Sequence, residues 1–348
     1  MRILLIGPQT LYPWTAYTAR ALRRLGAQVH EFLEFEMFVE GMTLRKGRRL
    51  GAAVPGLAPF LDHWRTAWYR RRDERLLRSA ARLKPDLILI LEGLSFSAPF
   101  LHQLREATRC PMVAWWVDDP FRYPTDRIFG LFDTLFLFDR SYEERLRREG
   151  AADVRFLPCA CDETVYRPQK LPPGQIRRYR SEVALVAWYC DTRLETVNAL
   201  SQFDLRIWGR GWRRPEVLKA LNGRHRKILQ RERFVPDHEA AKIFAATQIG
   251  LNIHSGQSHR AGLNARSFDL LSSGTFQLMD ALPGMEELLE PGREVAVYRT
   301  PEEAADRVRY YLRHPEERAA IAARGRARTL AQHTYLHRMR SLLQLVQS

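Results

Sequence analysis

The chain has no apolar run of the roughly 18 residues that a membrane-crossing helix needs, so no spanning segment is expected in its 348 residues. It holds only four cysteines, Cys110, Cys159, Cys161 and Cys190. They show no disulfide framework, and a lone C-x-C lacks the second pair that a zinc site needs. Reduced thiols in a cytoplasmic protein are the expectation. No Asp-x-Asp stands at a strand end, so no metal site is expected. Internal repeats at solenoid period and low-complexity segments are missing. So are helix-turn-helix, zinc-finger and RNA-binding signatures, which argues against specific nucleic-acid recognition. Acidic residues are outnumbered. Fifty-five Lys and Arg against 40 Asp and Glu leave a formal charge of +15. Such a surface attracts polyanions, whether nucleic acid, anionic lipid head groups or nucleotides.

What is present is a folded α/β pattern. Hydrophobic residues make up 45% of the chain, and its length suits two domains. The start, MRILLIGPQT, reads as a buried first strand and not as a signal peptide. Strands are expected at Arg2–Ile6, Gln28–Phe32, Asp86–Leu91, Met112–Trp116, Thr134–Phe138 and Val154–Leu157, with helices between them. The run DLILIL has the continuous apolar character of a parallel strand buried on both faces. A loop insertion is expected over Phe38–Pro59. A basic helix over Arg65–Lys84 carries Arg70, Arg71 and Arg72, and it serves as a solvated face or as a surface for an anionic membrane or acceptor. Strands resume at Val183–Ala187, Asp204–Trp208, near Phe234, at Leu251–Ile253, Thr275–Met279 and Val295–Tyr298. Thr300-Pro301-Glu302-Glu303 marks a helix start. The alternation predicts a first domain over 1–165, a linker at 166–180 within the proline-rich stretch Pro158–Tyr179, a second domain over 181–330 and a C-terminal helix over 331–348. Doubly wound sheets bind ligands at the carboxyl ends of their strands.

The richest stretch is Leu251–Asp280: strand, polar loop, helix, strand. The loop carries Gly256 and Gly262 and ends at Asn264, a good N-cap. Backbone N–H groups and the dipole of the following helix suit an anion. Arg266 adds a guanidinium fork suited to phosphate. Asp269, three residues on, can accept hydrogen bonds from a ribose diol. Read more plainly, Arg266 and Asp269 form a surface ion pair and Asn264 is only a cap. His254, directly after a strand, can contact a leaving phosphate or serve as a packing histidine; His259 and Arg260 add charge to the same loop. Gly209, in the turn Trp208–Trp212, leaves room near a diphosphate or base. In the first domain, Trp115-Trp116-Val117-Asp118-Asp119-Pro120 offers Asp118 or Asp119 as a base for an acceptor hydroxyl. Alternatively, Asp119 caps a turn before Pro120.

The order N-x-R-x-F-D-x-x-x-x-G from Asn264 to Gly274, followed by an apolar strand ending in Asp280, resembles the CgeB-like (spore maturation protein-like) glycosyltransferases. Gly284–Leu289, Tyr298–Pro315 and Glu316–Arg338 resemble that family's acidic turn and closing helices. Trp116–Pro120, Phe156–Pro158 and Tyr166–Pro168 resemble it more weakly. The resemblance implies a GT-B fold, two Rossmann-like doubly wound domains facing an interdomain cleft. It implies a nucleotide-sugar donor held mainly by the second domain, and no cofactor or metal. The acceptor stays unknown, whether glycan, protein or lipid-linked. On this reading the donor contacts are Arg193, Gly209, His254, Asn264, Arg266, Asp269 and Ser273, and the catalytic candidates are Asp118, Asp119 and His254. One departure stands out. Where the family usually has glycine after the first strand of the second domain, this chain has Ala187 and Trp188, with Arg193 retained. The rival readings are a GT-B epimerase or phosphorylase, and a non-catalytic basic protein that binds nucleic acid or an anionic membrane surface.

Overall fold

A computed structural model of the chain describes residues 1–8, 13–34, 57–92, 96–121, 128–221, 229, 234–255 and 261–347. The chain divides into two compact units, one formed by Met1–Leu137, Tyr142–Leu157 and Met339–Ser348, the other by Phe138–Ser141 and Pro158–Arg338.

The first unit is built on β1 (Arg2–Pro8), β2 (Gln28–Glu34), β3 (Leu87–Leu91), β4 (Met112–Trp116), β5 (Thr134–Leu137) and β6 (Val154–Phe156), in the order β2-β1-β3-β4-β5-β6. All neighbours pair in parallel. Each of the five residues of β3 is buried, as expected for an apolar strand covered on both faces. Helices α1 (Trp14–Arg24), α2 (Leu57–Leu83), α3 (Ala98–Thr108) and α4 (Glu143–Arg148) make the connections. The basic helix extends further toward the N-terminus than its charge run. Its Leu76 and Ala80 are buried, and so is Arg72, which lies over the rings of Tyr69 and Phe96 and pairs with Asp73. Arg70, Arg71, Arg75 and Arg78 are exposed. Most of the expected insertion at Phe38–Pro59 lies outside the described residues, and Leu57–Pro59 opens α2.

The second unit begins with α5 (Pro173–Tyr179) and then holds β7 (Ser181–Val186), α6 (Leu194–Ala199), β8 (Leu205–Trp208), α7 (Pro215–Ala220), α8 (Asp237–Ala246), β9 (Thr247–Asn252), α9 (Ala265–Ser272), β10 (Gln277–Asp280) and β11 (Ala296–Tyr298). Helices α10 (Pro301–Arg313) and α11 (Pro315–Gln332) follow, then α12 (Tyr335–Gln347), whose later residues group with the first unit. The parallel sheet runs β11-β10-β9-β7-β8. Alternate residues of β7 feed opposite faces. Val183 and Leu185 join a core with Ile249, Leu251 and Leu278, while Ala184 and Val186 join Tyr166, Phe244 and Leu270.

Three differences from the sequence reading have local causes. Phe234–Pro236 is not a strand, and Leu229 instead makes an isolated bridge to Ile207. Strand β9 starts at Thr247, four residues before its apolar end at Leu251. Gly250 interrupts the apolar pattern because a Cβ there would lie 2.3 Å from Leu270 Cδ2. The proline-rich stretch expected as a linker is folded into the second unit. Tyr166 is buried against Phe244, and Cys161 bridges Thr334. Among the described residues no helix is long and apolar enough to cross a membrane.

Gly209 ends β8 with φ +149°, and a Cβ there would fall 2.0 Å from the Ala187 carbonyl oxygen. The Gly209→Ala protein is therefore expected to lose about 1–3 kcal/mol. Urea midpoints check this, and an unshifted midpoint would refute the close-approach argument.

Candidate functional site

In the second unit the chain leaves β7 toward one side of the sheet and β9 toward the other, so the point where winding reverses lies between them. Ligands of doubly wound sheets bind outside the carboxyl ends of such strands. Three of the expected donor residues, His254, Asn264 and Arg193, gather there, and Gly209 is on the neighbouring strand end.

His254 follows β9 and is only 2% exposed. Its Nδ1 lies 2.8 Å from Asp280 Oδ1, and its backbone N–H donates to the same oxygen at 3.0 Å. The Asn264 N–H donates to His254 Nε2 at 3.3 Å. A ring nitrogen that accepts a backbone N–H carries no proton, so Nδ1 is the donor to Asp280. Burial works against the Asp280 carboxylate, but the His254 ring and backbone N–H outweigh it and hold the pKa below the usual carboxylate value. Both ring nitrogens are thus engaged inside the protein. The histidine acts first as a brace that fixes the end of β9 to the start of α9.

Asn264 caps α9 by accepting the Ser267 N–H at 3.0 Å, and it exchanges amide hydrogen bonds with Asn252, 3.1 Å each way. Asn252 also donates to Ser267 Oγ at 3.0 Å. Arg193 donates from Nε to the Ile253 carbonyl at 2.9 Å and from Nη1 to the Trp188 carbonyl. It therefore ties the end of β7 to the end of β9. The loop's return is held by Asp139, which is fully buried and accepts the Ala261 N–H at 2.9 Å and the Ser141 N–H at 2.9 Å. Burial raises the Asp139 pKa, but these N–H groups outweigh it and leave the pKa lowered. Hence the N–H groups of Ala261, Asn264 and Ser267, expected to face an anion, have partners within the protein. Gly256, His259 and Arg260 lie outside the described residues.

Arg266, Asp269 and Ser273 lie on a different face of α9. Arg266 Nη1 is 3.3 Å from Asp269 Oδ2 and 3.4 Å from the Tyr166 hydroxyl, and its guanidinium lies 5.1 Å from the Phe244 ring centroid. This is the i,i+3 ion pair of the plainer reading, but it is largely buried, with the two side chains 14% and 10% exposed. Burial raises the Asp269 pKa well above the usual value. Arg266 opposes the rise, and Asp237 and Asp162 add to it. The Ser273 hydroxyl donates to the Asp269 carbonyl at 2.9 Å. It is buried, so in this structure it closes the helix and does not face a ligand.

In the first unit, Asp118 and Asp119 follow β4 and are half-buried. Asp118 Oδ1 accepts the Asp119 N–H, and Asp119 Oδ1 accepts the Phe121 N–H, each at 2.8 Å. Asp119 thus makes the turn-capping contact of the plainer reading. Glu92 ends β3 with φ +69°, a left-handed conformation rare outside glycine. Strained backbone at a strand end recurs at functional sites. Among the described residues no group of three His, Cys, Asp or Glu side chains is arranged to hold a metal ion.

Sequence reasoning did not place Asn252, Ser267, Asp139 and Tyr166, and it treated Asp280 only as a motif's end. The β9–β10 register pairs Met279 with Asn252. That register alone brings Asp280 beside the residues that follow Asn252, and so next to His254.

This architecture, two parallel doubly wound sheets with the polar network at the carboxyl ends of the second, is that of the GT-B fold. Residues 192–344 match the glycosyl transferase-like family. The chain is CgeB-like. It is 20% identical over 303 residues to the spore protein CgeB of Bacillus subtilis (strain 168), covering 80% of this chain and 92% of that protein. Its fold is similar to sucrose-phosphate synthase from Thermosynechococcus elongatus, with a TM-score of 0.67, 14% identity and coverage of 100% and 98%. It is also similar to HepE of Anabaena, solved in complex with UDP and glucose, with a TM-score of 0.66, 12% identity and coverage of 100% and 99%. The protein is a glycosyltransferase, an enzyme that moves a sugar to an acceptor.

Proposed function

We propose that the donor is a uridine diphosphate sugar, bound at the carboxyl ends of β7 and β9 and along α9, and used without a divalent metal. The observation that carries this reading is the brace in which His254 joins Asp280 to the Asn264 N–H and so fixes the start of α9. Three structures of one protein of similar fold support the choice of nucleotide: HepE of Anabaena was solved with UDP, with UDP and glucose, and with UDP-glucose. In this assignment Asn264 and Arg266 serve the diphosphate and Asp269 the ribose. Gly209 lets the end of β8 pack close against the Ala187 carbonyl beside the end of β7. Arg193, His254 and Ser273 hold the backbone that carries the site. Asp118 is the acceptor-side base. The acceptor is a hydroxyl on a glycan, protein or lipid-linked molecule, and the +15 charge suits an anionic acceptor or membrane surface.

The test is a thermal-shift panel of UDP-, GDP-, dTDP- and ADP-sugars, followed by hydrolysis of any that bind. UDP-sugars are expected to stabilise the protein and to be hydrolysed in the presence of EDTA. Hydrolysis that requires manganese would contradict the metal-free reading. The Arg266→Ala protein is expected to bind UDP about 1.5–3 kcal/mol more weakly, the range for a charged hydrogen bond. Unchanged calorimetric affinity would remove Arg266 from the phosphate site. Asp269→Asn should weaken UDP more than pyrophosphate, and equal losses would remove the ribose role.

A further inference from the structure

The turn after β7 is held on several sides. The Ala187 N–H donates to the Trp208 carbonyl at 2.9 Å, and the Tyr189 N–H to the Arg210 carbonyl at 2.8 Å. The Ala187 carbonyl accepts the Trp212 indole N–H at 2.8 Å, and the Trp188 carbonyl accepts from Arg193. The Tyr189 ring meets Trp212 edge-on, with centroids 5.2 Å apart. Within this fixed backbone the Trp188 side chain is turned outward and 39% exposed, whereas Trp115, Trp116, Trp208 and Trp212 are all buried.

A single exposed apolar residue needs no explanation, but position and rigidity set this one apart. Trp188 stands at the carboxyl end of β7, beside the reversal of winding where such sheets take ligands. Across that point Arg193 joins the Trp188 carbonyl to the Ile253 carbonyl, one residue before His254. A main chain already held in place removes the loop-ordering cost that binding would otherwise carry. A large flat indole face is suited to stacking on a ring.

We propose that Trp188 is the ring-stacking platform of the donor site, a specificity residue that packs against a ring of the bound nucleotide sugar. This rests on the donor assignment above. The ring is the nucleobase or the sugar, and both offer the flat, weakly polar face that an indole accepts. Aromatic stacking on a base changes affinity by about five- to a hundredfold when the aromatic is removed.

Calorimetry on the full chain tests this with three probes: UDP, UDP-glucose and inorganic pyrophosphate. Because Trp188 is exposed, the Trp188→Ala protein should keep its melting temperature. It is expected to bind UDP and UDP-glucose about tenfold or more weakly if the base is stacked, or UDP-glucose alone if the sugar is. Pyrophosphate binding should not change, and Trp188→Phe should restore most of the affinity. Wild-type affinity of Trp188→Ala for all three probes would overturn the proposal, as would an equal loss for pyrophosphate. If the wild-type protein binds neither nucleotide, the donor assignment itself falls, a result distinct from the loss of stacking alone.

Discussion

The Asp118→Asn enzyme is expected to turn over about 10²–10⁴-fold more slowly than the wild type, the range for loss of a general base, with UDP-sugar affinity nearly unchanged. An acceptor hydroxyl is a poor nucleophile until its proton is taken. Asn keeps the size and the Oδ1 acceptor of Asp118, so the bond from the Asp119 N–H can persist, while the basicity is gone. Asp119→Asn makes the contrast. Asp119 Oδ1 caps the Phe121 N–H, and an amide oxygen does this as well, so turnover should stay close to wild type. Glu92→Gln completes the set, because Glu92 ends the neighbouring strand β3 in a strained conformation. Single-turnover rates and melting temperatures on all three proteins check the assignment. If Asp118→Asn retains turnover and Glu92→Gln loses it, the base is Glu92. If Asp118→Asn melts early with unchanged activity per folded molecule, Asp118 is structural.

The largest expected change in stability comes from Arg338. Its guanidinium is buried and donates to the Pro158, Cys159 and Gln332 carbonyls at 2.7–3.1 Å, with His333 Nδ1 at 2.8 Å. Burial pulls its pKa down to about 10. Arg338→Met leaves several buried acceptors unmet, each costing about 1–3 kcal/mol, so a loss of about 3 kcal/mol or more is expected. Arg338→Lys keeps the charge without the planar fork and should recover only part of it. Equal urea midpoints for wild type and Arg338→Met would refute this role.

His333 gives the same cluster a pH signature. Burial, followed by the Arg338 charge, pushes its pKa down to about 3 from an ordinary 6.5. The folded value is the lower one, so protons favour the unfolded chain. Stability from this group is complete above about pH 6.5 and falls as pH drops toward about 3, by at most about 1.4 kcal/mol per pH unit. Urea midpoints at pH 7.5, 6 and 5 read the slope. His333→Gln should flatten it, and an unchanged slope would assign it to other groups.

The βα alternation, the parallel sheets and the position of α9 were legible from sequence because each rests on local pattern. DLILIL announces a strand covered on both faces, Asn264 announces a cap, and Thr300-Pro301 announces a helix start, where the Thr300 hydroxyl does accept the Glu303 N–H. Strand ends carrying Asp118, His254 and Gly209 follow from the same alternation. Tertiary structure alone decided what those side chains touch. His254 became a brace because register puts Asp280 beside it, a pairing of residues 26 apart. Arg266 and Asp269 became a buried pair, not a surface one, because Tyr166 and Phe244 close over that face of the helix. The proline-rich stretch became part of the second unit because the bond from the Cys161 N–H to the His333 carbonyl joins residues 172 positions apart. Periodicity is written in neighbouring residues. Burial and long-range pairing depend on which elements the folded sheets bring together, and no local pattern records that.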